Sequence, residues 1–354
     1  MVVRAVKAPP LKSISSLRTM VALSVFPVLC RAFLKGLSAV IPTIFRRRAA
    51  RAMLCALLLI LSLPAQAWNA AGHRLVASIA WRNLSPEARS EVSDLLREHP
   101  DYARWVARAT DADIERAAFV ECSTWPDEIR KDKRFYSAGV DEATPLLPGF
   151  PDMERRTSWH TVKRSLDPAV SAPDFPGEID KQLVALQKTL KSSRSSALER
   201  RYALPWFIHL AGDSHQPLHS SVRLGPDGRW DKSGHGVMVN NPFNPKKPTS
   251  SLHAYWDDLP GPSSLRGEAL DSASRALTAV YARPARGASS EQWIVESWEI
   301  ARNGAYPPGN ETTVSITESF DKRSREIANR RLTEAGYRLA DALNAFFKIG
   351  KVQR

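Results

Sequence analysis

The chain has 354 residues with 50 Lys and Arg against 37 Asp and Glu, a formal net charge of +13, but the excess is not spread evenly. Ten of the basic residues and none of the acidic ones fall in residues 1–67, so residues 68–354 carry 40 basic against 37 acidic, a net +3. Bulk charge therefore gives no ground for inferring attraction to phosphate, which needs a basic surface on the part of the chain that persists.

The first 67 residues read as a leader. Arg46-Arg47-Arg48-Ala49-Ala50-Arg51 precedes an apolar run from Met53 to Leu63, and Ala65-Gln66-Ala67 supplies the small-x-small pattern a signal peptidase accepts. The run is too short for an ordinary membrane span, so no mature span is expected and Trp68 becomes the first residue after cleavage. Cys30 and Cys55 leave with the leader, and the isolated Cys122 forbids an intramolecular disulfide. Export without disulfides suits a bacterial periplasm or secretion. Residues 68–354 suffice for one large core and show no repeat, which predicts a single domain.

Trp68-Asn69-Ala70-Ala71-Gly72-His73 opens into Leu75, Val76, Ile79 and Ala80, an apolar face at helical spacing with His73 near its start. Ser85-Pro86-Glu87 caps a second helix, which runs through Val92, Leu95 and Leu96 to His99-Pro100; His99 is expected to be exposed and without a role. A third helix is predicted from Trp105 to Phe119, before a loop in which Trp125-Pro126-Asp127 presents a carboxylate. Residues 131–175 read as loop around Trp159-His160. Ile179, Leu183, Leu186 and Leu190 predict a surface helix, followed by a flexible serine-rich connection at 192–196.

The next stretch organises the chain. Tyr202, Phe207, Ile208, Leu210 and Ala211 predict a buried helix on which His209 and Asp213 lie one turn apart on one face. Gly212 and Pro217 bracket the helix end, so the chain turns before His219. Three histidines and a carboxylate in eleven residues are hard to explain as core packing. Imidazole nitrogen and carboxylate oxygen are donors that zinc accepts, and the two oxygens of Asp213 could bridge two ions.

Residues 224–251, rich in Gly, Pro and Asn, predict a long loop or a short hairpin before His253-Ala254-Tyr255-Trp256-Asp257, where the His-x-x-x-Asp spacing recurs. Amphipathic helices at Gly267–Tyr281, Ser290–Asn303 and Lys322–Phe347 complete the chain. Strand signals are sparse, so the expected class is mainly α, a single-domain helical bundle.

Five segments in order carry a resemblance: Trp68-x-x-x-Gly72-His73, Trp125-Pro126-Asp127, Trp159-His160, His209-x-x-Gly212-Asp213-x-x-Gln216-Pro217-Leu218-His219 and Leu252-His253-x-x-Trp256-Asp257. Together they resemble the S-one/P-one type nuclease family, zinc-dependent type I nucleases that prefer single strands and share a fold with the zinc-dependent phospholipases C. Segments Trp293–Ser297 and Ala335–Asn344 also resemble family helices.

The resemblance implies three zinc ions. One is held by Asp127, His160, His209 and Asp213, a second by His219, His253 and Asp257, and a third by the Trp68 backbone, His73 and Asp213. Asp213 and Asp127 become the candidate catalytic residues, with a hydroxide shared between two ions as nucleophile. The expected substrates are single-stranded DNA or RNA and nucleotides, and the expected products carry 5′ phosphates, with a 3′-nucleotidase activity alongside. No stable protein partner is implied, and the chain is expected to be a monomer. The Trp68 amine exists only after the leader is cut.

Two departures fall beside the metal motifs. Thr161-Val162-Lys163-Arg164 replaces the family's aromatic and acidic continuation after the metal histidine. His235, in Asp231-Lys232-Ser233-Gly234-His235, stands where a nucleotide-contacting asparagine is usual. Two alternatives stay open. A zinc-dependent phospholipase C usually ends its ligand set with His-x-x-x-Glu, whereas this chain has Asp257. A non-catalytic periplasmic zinc-binding protein could use the same donors.

Overall fold

Asn69 starts the first helix, α1 (Ala70–Asn83), by accepting from the Ala71 and Gly72 backbone N–H groups on its side-chain oxygen. The computed structural model describes residues 68–348 except 110–112, 173, 175–176 and 310–312, so the leader read at 1–67 lies outside the described residues. The chain divides into two units, Met1–Leu63 and Pro64–Arg354, and the described residues all belong to the second.

Every residue of α1 from Ala71 to Trp81 is buried. Its main partner is the last helix, α11 (Glu318–Phe346), and the two come close because Gly336 faces Ile79. A Cβ at Gly336 would lie 2.6 Å from the Ile79 Cβ. Arg74, on the same buried helix, donates to Glu121 at 2.9 and 3.2 Å, and Arg266 grips that carboxylate from the other side. Removing Glu121 would leave the buried Arg74 charge uncompensated, a loss on the order of 3–5 kcal/mol.

Helix α2 (Pro86–Arg97) begins at Ser85 as its sequence predicts. The predicted helix from Trp105 to Phe119 is instead two helices, α3 (Tyr102–Val106) and α4 (Ile114–Cys122). The reason is local: the Asp113 carboxylate accepts from the Arg116 N–H at 2.9 Å and starts a new helix inside the predicted span. His99 is not exposed. It is buried, stacked on Trp105 at 4.5 Å, edge-on to Trp125 and Phe150, with its Nδ1 accepting from the Asp101 N–H. Burial lowers its pKa to about 3.

Trp125-Pro126-Asp127 forms a short helix, α5 (Trp125–Glu128), with proline in the first turn, where no N–H is needed. Helix α6 (Ile179–Lys191) buries the four predicted residues. Ser196 then closes a reciprocal capping box with Glu199, so the end of the serine-rich connection is the N-cap of α7 (Ala197–Asp213). That helix continues through Pro205 and is buried from Tyr202 to Asp213.

The segment at 224–251 holds the hairpin of β1 (Met238–Asn240) and β2 (Thr249–Ser251), paired antiparallel with Val239 opposite Ser250. A third strand, β3 (Thr313–Ser315), adds to β1 in parallel, giving the order β2-β1-β3; the sequence pattern did not predict it. Helices α8 (Leu252–Asp258), α9 (Gly267–Val280) and α10 (Ser290–Ile300) follow, and α10 runs into a π turn at Ala301–Ala305. Among the described residues no helix is long and apolar enough to cross a membrane. The fold is mainly α.

Candidate metal centre

Helix α7 ends in the buried interior. His209 and Asp213, both wholly buried, sit one turn apart with His209 Nε2 3.2 Å from Asp213 Oδ2. His160, from the 3-10 turn Thr157–His160, reaches the same place: its Nδ1 is 3.0 Å from Asp213 Oδ2 and 3.1 Å from His209 Nε2. Three donors about 3 Å apart match the spacing expected around one ion with bonds of roughly 2.0–2.2 Å. Asp127 on α5 faces this group, 4.0 Å from His160 Nδ1.

The other Asp213 oxygen looks elsewhere. Oδ1 lies 3.4 Å from His73 Nε2, which comes from α1, and has no hydrogen-bond donor among the described residues. The His73 ring stacks on His209 at 3.8 Å, and this approach requires Gly212, whose substituent Cβ would stand 3.0 Å from His73 Nδ1. The buried Trp68 has its backbone facing His73, and the next residue, Asn69, donates its N–H to the Asp257 carbonyl at 3.0 Å.

After α7 the chain turns through Gln216 into a 3-10 turn (Pro217–Ser220) that delivers His219. His253 and Asp257 come from α8, with His253 Nε2 3.5 Å from Asp257 Oδ2 and the His219 and His253 rings 5.1 Å apart. Among the described residues three groups thus place donor atoms within 4.8 Å of one another: His73, His209 and Asp213; Asp127, His160 and His209; His219, His253 and Asp257. All eight side chains expected as zinc donors belong to these groups, and the Trp68 backbone adjoins the first.

The donors are presented in the form a metal needs. His209 Nδ1 donates to the Ser123 carbonyl at 2.8 Å, His219 Nδ1 to the His160 carbonyl at 2.8 Å, and His253 Nδ1 to the Ser233 carbonyl at 2.7 Å. A carbonyl only accepts, so Nδ1 carries the proton in each ring and a lone pair is left on Nε2, directed at its cluster. Among the described residues His219 Nε2 has no hydrogen-bond partner, His160 turns its Nδ1 to Asp213, and His73 Nε2 meets Asp213 Oδ1 at 3.4 Å.

Burial, reinforced by neighbouring imidazoles and cations, holds His73, His160, His219 and His253 well below their ordinary pKa. Burial also works against charge on His209, but Asp213, Asp127 and the Ser123 carbonyl outweigh it and raise that pKa. Burial pushes Asp213 up to about 6 and Asp257 well above the carboxylate range. The protein by itself therefore has buried carboxylates short of positive charge and neutral imidazoles short of partners. A divalent cation fits both deficits, because metal binding takes ionised carboxylate and neutral imidazole.

Of the residues that support the donors, Gln216 stood in the sequence motif with no role assigned and Arg130 was not singled out. Gln216 donates to Asp257 Oδ1 at 2.9 Å while its own carbonyl oxygen accepts from the Leu218 N–H. Arg130, three residues after Asp127, reaches its Oδ1 at 3.3 Å; that i to i+3 spacing was the available signal. The third histidine of the central stretch, His215, faces away. Its Nδ1 binds the Ala211 carbonyl and its Nε2 accepts from Arg338, in a buried network with Glu296 and Arg331.

Residues 68–348 match the family model described as S1/P1 Nuclease. The chain is 25% identical to Endonuclease 5 of Arabidopsis thaliana over 296 residues, covering 79% of this chain and 90% of that protein. It is 25% identical to Endonuclease 3 of the same plant over 300 residues, covering 79% and 89%. The span matched by the family model contains all three donor clusters and the helices that carry them. The chain belongs to the S1/P1 nuclease family.

Proposed function

We propose that the chain is a zinc-dependent endonuclease, a hydrolase that cuts single-stranded DNA and RNA to products with 5′ phosphates and also acts on 3′-nucleotides. The observation that carries this reading is Asp213, buried at the junction of two clusters with one oxygen turned to each. We assign three zinc ions: one to Asp127, His160, His209 and Asp213, one to His219, His253 and Asp257, and one to the Trp68 backbone, His73 and Asp213. His209 also lies within reach of the last of these.

Bound zinc supplies two things, acidification of water and neutralisation of phosphoryl charge. The protein does the positioning. Asp127 and Asp213 are the catalytic carboxylates, fixing where charge is held relative to the substrate phosphate. Arg130, on Asp127, keeps that carboxylate oriented. The second site has only three protein donors, which leaves a position open to water or substrate and favours catalysis over storage. A thiol nucleophile has no support, since Cys122 is buried and its pKa is raised by that burial. Unpaired strands suit the site because their phosphates approach while the bases splay outward.

The leader fits export to the periplasm or medium, with cleavage before Trp68, and the mature chain is read as a monomer. Zinc-loaded protein beginning at Trp68 is expected to cut single-stranded DNA and RNA and to lose that activity to a chelator. Hydrolysis of phosphatidylcholine with no cutting of nucleic acid would select a zinc-dependent phospholipase C, and zinc binding with no hydrolysis at all would select a carrier protein.

A further inference from the structure

Lys163 and His235 occupy the two places where this chain departs from the sequence pattern around its metal motifs, and the fold brings them to the same cluster. Residues 162–166 run beside 219–222, with Val162 N–H donating to the His219 carbonyl and Leu166 N–H to that of Val222. From there the Lys163 ammonium donates to the Ser233 hydroxyl at 2.9 Å. Ser233 is the residue whose carbonyl holds His253 in its tautomer. Two residues on, the His235 ring lies flat on His253, with centroids 3.9 Å apart and planes 21° apart.

This loop is fixed. Asp231 accepts from the backbone N–H groups of Arg223, Ser233 and Gly234, and from the Tyr306 hydroxyl. Lys232 and Ser233 are held at φ of 53° and 62°, a conformation that L residues keep only when the surroundings impose it. Two groups in the arrangement lack what their chemistry calls for. His235 Nε2 is buried with no hydrogen-bond partner among the described residues. The Lys163 ammonium has three N–H donors and, among the described residues, one neutral acceptor and no carboxylate within 4.0 Å. Burial lowers its pKa to about 8, which still leaves it mostly protonated at neutral pH. Its charge acts on His219, His235 and His253 alike, which places it on their side of the centre.

We propose that Lys163 and His235 form a phosphate-contacting pair beside the His219, His253 and Asp257 cluster, each donating a hydrogen bond to a non-bridging oxygen of a substrate phosphate. The inference rests on the reading of the centre as a phosphodiesterase site. It adds two protein donors to the metals and ties the cationic replacement at position 163 to the imidazole at 235.

The test is calorimetric titration of inorganic phosphate into zinc-loaded protein, with zinc measured by elemental analysis, for wild type, Lys163→Ala, Lys163→Arg and His235→Ala. A charge-assisted hydrogen bond predicts a loss of about tenfold or more in phosphate affinity for Lys163→Ala. Lys163→Arg should stay within threefold of wild type, and His235→Ala should lose threefold or more, all with zinc content unchanged. The inference is overturned by affinity within threefold of wild type in Lys163→Ala, by no measurable phosphate binding to wild type, or by zinc loss in Lys163→Ala, which would make the lysine a brace for the metal loop. Failure of the broader reading looks different: wild type would then fail to hold zinc or to cut nucleic acid.

Discussion

The Gln216 side-chain amide donates to Asp257 Oδ1 at 2.9 Å across 41 residues of sequence, so this carboxylate meets its cluster with one oxygen already oriented. Partners of this kind typically change metal affinity about 10–100-fold when removed. Gln216→Leu is therefore expected to weaken zinc at the His219, His253 and Asp257 site by that amount and leave the other two ions in place. Titration with a chromogenic chelator, resolving one weakened ion out of three, checks it.

On the proposed assignment, Asp213 serves two zinc sites and His219 one. Asp213→Ala should lose more zinc than His219→Ala when both proteins are dialysed against the same metal buffer. Equal losses by elemental analysis would remove the bridging role.

Acid stability has a contribution from outside the metal centre. The pKa of His99 falls from 6.5 to about 3 in its aromatic cage, chiefly through burial. A group depressed on folding stabilises fully above its unfolded pKa and loses that contribution as pH drops, because only the unfolded chain takes up the proton. Between pH 7 and pH 5 the loss is about 2 kcal/mol. His99→Phe is expected to be less stable at pH 7, through loss of the bond from Asp101, yet to show a stability difference between pH 7 and pH 5 smaller by that amount. Urea denaturation at the two pH values measures it, and an unchanged difference would mean that His99 takes up its proton equally in the folded and unfolded chain.

On the proposed assignment, the Trp68 terminus would couple processing to metal binding. An amide nitrogen in an uncleaved chain is a poor donor because its lone pair is delocalised into the carbonyl. Protein beginning at Trp68 is expected to hold three zinc ions and be active. A single additional residue before Trp68, verified intact by mass spectrometry, should cost one ion and most activity; full occupancy in the extended protein would refute the assignment.

Two pairs of candidate metal donors were legible in the sequence because their spacing is local, and the others came with the family resemblance. His209 with Asp213, and His253 with Asp257, each lie one helical turn apart, so periodicity alone puts each pair on one face. What supports them was not legible. Gln216 finds Asp257, Lys163 finds Ser233 and His209 finds the Ser123 carbonyl only through tertiary contact. His99 was misread because the proline beside it signals a turn, while the rings that enclose it come from positions 105, 125 and 150. Strand β3 escaped for the same reason, since three residues pair with a partner more than seventy positions away.

The closeness of α1 and α11 at Ile79 and Gly336 bears on the order in which the molecule is made. Every candidate donor lies between Trp68 and Asp257, so a nascent chain has all of them well before synthesis ends. The wall against which α1 rests, and with it the seat of His73, is the last helix to emerge. A chain without α11 would carry every candidate donor, but the helix that bears His73 would lack its main partner. Loss of the last helix is therefore expected to loosen the seat of His73, although no candidate donor lies on that helix.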